Sequence, residues 1–169
     1  MAPQLRQLNV TYVDVQDRLL LKVSTSEDEE FRVWCTRRFT RLLLERLEDS
    51  FQQEMPAATA EAVPEPVRRE VAQMQHKQVV NEESFQQPYQ AEPKEYPLGE
   101  EGLLVTTLKY KTLANKSVQM HLGDKQGKGV SLNLDENLKH QLYELFERAA
   151  TKAEWFDSAI SPGASAVVH

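Results

Sequence analysis

Cysteine is nearly missing from this chain. Cys35 is the one thiol among 169 residues, so no internal disulfide can form, which points to a reducing, cytoplasmic setting. Histidine is scarce too. His76, His121, His140 and His169 stand singly, without the short spacings of a zinc or iron site, so no metal and no cofactor is expected. The six glycines form neither a phosphate loop nor a dinucleotide fingerprint. The one glycine-rich run, GDKQGKG from Gly123 to Gly129, leads into a strand pattern instead of a helix N-terminus, and reads as a hairpin loop. No apolar run approaches the roughly 20 residues that cross a bilayer, and the opening MAPQLRQLNV lacks the apolar core of a secretory signal. A nucleophile elbow and a kinase signature are absent, and the Glu82–Glu83 pair has nothing beside it to raise a carboxyl pKa. No catalytic residues are therefore assigned, and the chain reads as a non-enzyme.

Positive charge is also in short supply. The net charge is −6, distributed as −2 over residues 1–54, −5 over 55–101 and +1 over 102–169. Such a balance disfavours a general nucleic-acid binder, which relies on a basic field.

What the chain does have is a stretch that changes period in the middle, FRVWCTRRFTRLLLERLEDSF from Phe31 to Phe51. Phe31, Val33 and Cys35 alternate with Arg32 and Trp34, the two-residue repeat of a half-buried strand. Thr36 can cap a helix whose apolar face is Phe39, Leu42, Leu43, Leu47 and Phe51. Before it, Leu8–Val15 and a second strand carrying Leu19, Leu21 and Val23 form a hairpin about Gln16–Asp17, and the charged loop 24–30 follows. Residues 1–54 thus form a β-β-β-α unit.

Residues 55–101 read as an acidic linker with a helix over 66–84, started by Pro66 and bearing a thin Val67/Val71/Met74 stripe. The proline-bearing stretch 86–101 shows no periodicity, so an extended, mobile connection is expected there. Residues 102–156 make a second unit: a long strand from Leu103 to Leu113, a strand with Val118, Met120 and Leu122, a strand with Val130, Leu132 and Leu134, and a helix capped by Asp135. That helix turns Leu138, Leu142, Leu145, Phe146 and Ala149 to one face and can run to Trp155. The end, 157–169, reads as a disordered tail.

The second unit follows the first at an offset of 99. Leu19, Leu21 and Val23 map to Val118, Met120 and Leu122, Thr36 maps to Asp135, and Leu43 maps to Leu142; only the opening strand slips by one residue. The expected architecture is therefore α+β, with two antiparallel β-β-β-α units related by internal duplication and joined by a helical, proline-rich linker. By topology alone, repeated sheet-plus-helix units resemble the Pur and whirly single-stranded nucleic-acid binders, which carry four strands per repeat where this sequence has three.

Several residues stand out as candidates. Leu20 and Trp34 face away from the Leu19/Val33/Cys35 side, where one helix per unit cannot cover them, so a helix of the same chain, a second subunit or a ligand must. Arg37, Arg38 and Arg41 crowd a helix start that disfavours cations, and await an anion, the acidic loop 27–30 or water. Lys109, Lys111 and His121 make the matching face of the second unit basic and polar. Cys35 falls among core positions. The function these features favour is a small cytoplasmic, non-catalytic module that docks a protein partner or itself, a homodimer in the simplest case, through Leu20 and Trp34, with no membrane association. The alternative is single-stranded nucleic-acid binding through Lys109, Lys111 and His121.

Overall fold

The computed structural model describes residues 4–53, 67, 70, 71, 74, 76, 89, 92–115 and 117–156. Three alternating stretches build the first sheet: β1 (Leu5–Val13), β2 (Arg18–Thr25) and β3 (Glu30–Cys35) run antiparallel, and β4 (Leu103–Leu104) adds to β3 in parallel. The second sheet is antiparallel, in the order β5 (Thr107–Thr112), β6 (Val118–Gly123) and β7 (Gly129–Leu134). Helix α1 (Arg37–Gln53) follows β3, and α2 (Glu136–Lys152) follows β7. The molecule is thus mixed α+β, with two sheets and, as complete elements among the described residues, two helices.

Both helices begin where a side chain can satisfy an orphan amide. Thr36 Oγ1 accepts from the Phe39 N–H at 3.2 Å, and Asp135 Oδ1 accepts from the Leu138 N–H at 2.8 Å. Helix α1 has no acidic residue in its first turn, so its cap stands without help from the macrodipole. The bounds of β3 and β7, and of α1 and α2, differ by 99 residues. Pairing follows the same shift: Leu19 opposes Cys35 as Val118 opposes Leu134. The opening strands do not keep it, since Tyr12 opposes Leu19 whereas Thr112 opposes Val118, a slip of one residue.

Four local expectations need correction. The first strand stops at Val13, and residues 14–17 form the turn, with Asp17 at a φ of 53°; Val15, read as a strand residue, is 90% exposed at its tip. Leu42 is 38% exposed while Thr40 and Leu44 are buried, so α1 is rotated about its axis relative to the face drawn from its leucines. Leu103 to Leu113 is not one strand. The Val105 N–H bonds to Trp34 O at 3.0 Å and the next residue's N–H, that of Thr106, bonds to Gly123 O at 2.9 Å, so adjacent residues serve different sheets. Finally, α2 ends at Lys152 because Glu154 takes a φ of 59°, which turns Trp155 back into the core.

Residues 92–101 also differ from the mobile connection expected over 86–101. The Lys94 N–H bonds to Asp28 O at 2.8 Å, the Glu30 N–H bonds to Glu95 O at 3.0 Å, and Leu98 is buried. These contacts are backbone pairings and isolated anchors, which leave no period in the sequence. Of the helix expected over 66–84, Val67, Glu70, Val71, Met74 and His76 are described, and all five are helical. The rest of that stretch, the segment 54–66 and the expected tail 157–169 lie outside the described residues.

One contiguous buried cluster joins the two halves. It contains Leu21 and Val33 of the first sheet, Met120 and Leu132 of the second, Leu43 and Leu47 of α1, and Leu142 and Phe146 of α2. Each such side chain contributes about 1.5–3 kcal/mol on burial. Three polar ties cross the same boundary: Lys139 Nζ to Ser50 Oγ at 3.1 Å, Tyr143 Oη to Glu48 Oε1 at 2.7 Å, and Trp155 Nε1 to Asp17 Oδ1 at 2.8 Å.

Candidate functional site

The outward rows of the first sheet follow from its register. Thr11, Leu20, Trp34 and Leu104 stand opposite one another across β1, β2, β3 and β4, and Asn9, Lys22 and Arg32 form the neighbouring row. Leu20 and Trp34 therefore share the outer face, on the side away from Val33 and Cys35.

What lies against Trp34 is the segment just before β4, a cover the sequence did not suggest. The indole Nε1 donates to the Glu101 carbonyl at 2.7 Å, and Arg32 Nη1 donates to the Glu100 carbonyl at 2.7 Å. Further along, the Arg32 guanidinium sits 4.6 Å from the centre of the Tyr96 ring. Its Nε donates to Glu30 Oε1 at 2.6 Å, while the Tyr89 hydroxyl donates to Glu30 Oε2 at 2.8 Å. The Arg32 pKa is raised, chiefly by that bond to Glu30, and the Tyr89 pKa is raised by burial first and by Glu30 second.

Gly102 makes this approach possible. Its φ is +83°, and a Cβ there would lie 2.9 Å from Arg32 O and 3.1 Å from Trp34 Nε1. The cover is incomplete. A groove of about 570 Å³ remains beside it, with Leu20, Trp34 and Leu104 along it, Arg18 and Lys22 toward β2, and Glu100 and Glu101 toward β4. Leu20 and Trp34 are half-buried and Leu104 is 36% exposed.

The Val67/Val71/Met74 stripe does not serve as that cover. Val67 and Met74 are exposed, and Val71 is half-buried against the common core. Among the described residues of this stretch, the one that packs most closely is His76, 3% exposed, whose ring stacks on His140 and on Phe51 of α1 with centroids 4.9 and 5.5 Å away.

The remaining candidates are dispersed. Arg37 and Arg41 lie over the Phe156 ring at 6.0 and 5.5 Å, so an aromatic face receives them instead of the acidic loop 27–30; Arg38 is exposed. Lys109, Lys111 and Gln119 are exposed on the outer face of the second sheet, and His121 Nδ1 contacts Ser131 Oγ at 2.9 Å. The Gly123–Gly129 run is a hairpin loop, closed by Asp124 Oδ1 accepting from the Gln126 and Lys128 N–H groups at 2.9 and 3.0 Å. Cys35 is fully buried, and burial pushes its thiol pKa up, away from nucleophilic use.

Sequence reading missed a polar cluster around His76. His76 Nδ1 and His140 Nδ1 lie 2.6 Å apart, and His76 Nε2 meets Glu144 Oε2 at 2.9 Å. Glu144 Oε1 accepts from Arg148 Nε at 2.9 Å. The hydrogen bond to His76, with Arg148 assisting, holds the Glu144 carboxyl down at about 2, and burial, with His76 next to it, lowers His140 to about 4. Ligand atoms of His76, Glu144 and Glu147 all lie within 4.8 Å of one another. The signal was the i, i+4 spacing of His140 and Glu144 and the i, i+3 spacing of Glu144 and Glu147 on one helix face; His76 came from too far along the chain to be joined to them.

No family model matches the chain, and no curated protein or solved structure matches it. Among the described residues no helix is long and apolar enough to cross a membrane.

Proposed function

We propose that this chain is a non-catalytic, cytoplasmic interaction module that pairs with a second copy of itself through the outer face of its first sheet. One observation carries the reading: the groove beside Trp34 holds an incompletely covered apolar row, lined also by the cationic Arg18, Lys22 and Arg32 and by Glu100 and Glu101. A two-fold axis through such a face sets Leu104 and Trp34 against their counterparts, and brings Arg18 and Lys22 of one copy toward Glu100 and Glu101 of the other. The patch is complementary to itself in both respects, which a surface for a purely basic or purely acidic partner is not.

The reading includes an internal duplication. The common shift of 99 residues in β3/β7, α1/α2 and the β2–β3 and β6–β7 registers supports two copies of one β-β-β-α unit, spanning 1–54 and 102–156, with 55–101 as the connection. Under it the two outer faces diverged. One kept Leu20 and Trp34 while the other took Lys109, Lys111 and His121. The second face carries no Phe, Tyr or Trp in its Lys109–His121–Ser131 row and offers bases only the His121 imidazole to stack on, so the single-strand-binding alternative gains little support from it.

Sedimentation tests the pairing. The wild type sediments as a dimer at micromolar concentration, Trp34→Glu sediments as a folded monomer, and the double exchange Arg18→Glu/Glu101→Arg restores a dimer that Arg18→Glu alone loses. A wild type that stays monomeric at hundreds of micromolar overturns the reading, as does a Trp34→Glu variant that keeps its dimer mass.

A further inference from the structure

We infer that His76, Glu144 and Glu147 form a binding site for one divalent transition-metal ion of the zinc class. The donor set is one imidazole nitrogen and two carboxylate oxygens whose ligand atoms lie within 4.8 Å of one another. At a tetrahedral ion with bonds of about 2.1 Å, ligand atoms stand roughly 3.4 Å apart. Side-chain adjustments of about 1–1.5 Å, within the reach of the glutamates on α2, therefore close the set on one ion. Glu144 and Glu147 are one helical turn apart, and His76 is brought to them by its stacking on Phe51 and His140.

The surroundings are those of a held ligand instead of a chance contact. His76 is nearly fully buried, and its ring packs in a cluster with Phe51 and His140, themselves 4.2 Å apart, and with Tyr143 edge-on at 4.9 Å. Its second nitrogen, Nδ1, is engaged by His140 Nδ1 at 2.6 Å. With the His76 proton on Nδ1 and donated to His140, the Nε2 lone pair points at Glu144, which is the tautomer a metal ligand requires and the way metal-bound histidines are held by a neighbour. Arg148 orients the far oxygen of Glu144 and leaves Oε2 for the ion. In the metal-free arrangement His76 Nε2–H donates to Glu144 Oε2, and His140 Nδ1–H donates to His76 Nδ1. When the ion takes the Nε2 position, the His76 proton moves to Nδ1 and the His140 proton to its own Nε2, so both rings stay neutral.

The ligand identity narrows the choice. A buried imidazole nitrogen selects against magnesium and calcium, which prefer all-oxygen sites, and the two carboxylates with neutral imidazole match a divalent charge. Three protein ligands leave one tetrahedral position for water. The bound ion ties His76 to α2.

Equilibrium dialysis of the untagged full chain against zinc chloride, with metal counted by mass spectrometry, reads the stoichiometry. One ion per chain is expected. Glu147→Gln and His76→Gln should each weaken binding at least tenfold, His140→Ala should weaken it about 10–100-fold by releasing the ligand ring, and His121→Ala should leave it unchanged. Zinc at about a hundred times Kd should raise the wild-type Tm by roughly 5–10 °C and that of the folded Glu147→Gln chain much less. No retained zinc at tens of micromolar, or retention that both Glu147→Gln and His76→Gln leave intact, overturns the site.

Discussion

Trp155 and Asp17 stand 138 positions apart, yet the indole Nε1 of one donates to Oδ1 of the other at 2.8 Å. The same oxygen accepts from the Tyr12 hydroxyl at 2.9 Å, and the Tyr12 and Trp155 rings meet edge to face at 5.9 Å. The first hairpin turn is thereby fastened to the residue just past α2. Trp155→Ala should cost about 3–5 kcal/mol, a core-aromatic loss that denaturant titration measures.

The milder Trp155→Phe reads the electrostatic part. The Trp155 hydrogen bond, with Tyr12 second, holds the Asp17 carboxyl below its usual range. A carboxyl lowered by folding adds stability at pH values above the ordinary carboxylate range and loses it as the pH falls through the lowered value. Without the stronger donor, acid unfolding of Trp155→Phe should begin at higher pH than in the wild type, as followed by circular dichroism.

Gly102→Ala addresses the covering segment. The residue has a φ of +83°, and a methyl group there would meet Arg32 O at 2.9 Å. The substitution should cost about 1–3 kcal/mol and release the Glu101 carbonyl from Trp34, so the Trp34 emission, read in a Trp155→Phe background, should shift to the red.

Cys35 gives a clock for unfolding. Burial raises its thiol pKa, and its strand position pairs with Leu19 of β2, itself fully buried. Labelling by a thiol reagent at neutral pH should therefore proceed at the rate of unfolding, and climb with denaturant in step with loss of the helical signal. Rapid labelling under native conditions would contradict the burial.

Lys139 makes a pH prediction of the same sign at the alkaline end. Its side chain is buried beside Ser50, and desolvation lowers its pKa. A base lowered by folding binds fewer protons in the native state than in the unfolded one, so its contribution to stability rises with pH up to the ordinary lysine value of about 10.4. The Lys139→Met chain should lack that rise, which paired denaturation curves at pH 8 and pH 10 would show.

Periodicity made much of this fold legible. The alternation of Phe31, Val33 and Cys35 located β3 to within a residue, and the caps Thr36 and Asp135 located the starts of α1 and α2, because each depends on local geometry. Leu42 misled because leucines 42, 43 and 44 are adjacent, and composition cannot say which of three neighbours faces inward. The cover over Trp34 stayed hidden for a different reason. It is made of main-chain carbonyls at Glu100 and Glu101, which every residue type possesses, so no side-chain pattern announces it. His76 escaped likewise, since it gains its meaning from His140 and Glu144, 64 and 68 positions away.

The parallel pairing of β4 with β3 sets a schedule for biosynthesis. The three opening strands leave the ribosome long before the residues that complete them, because Trp34 waits for Glu101, 67 positions later. At about 5–20 residues per second that delay is roughly 3–13 seconds. During it the nascent chain presents a bare strand edge at β3 together with an uncovered indole, the combination that invites mispairing with a neighbouring nascent chain. Translation speed across codons 55–101 is thus a variable of solubility for this protein, and a hold on that edge by a ribosome-associated chaperone would matter most there.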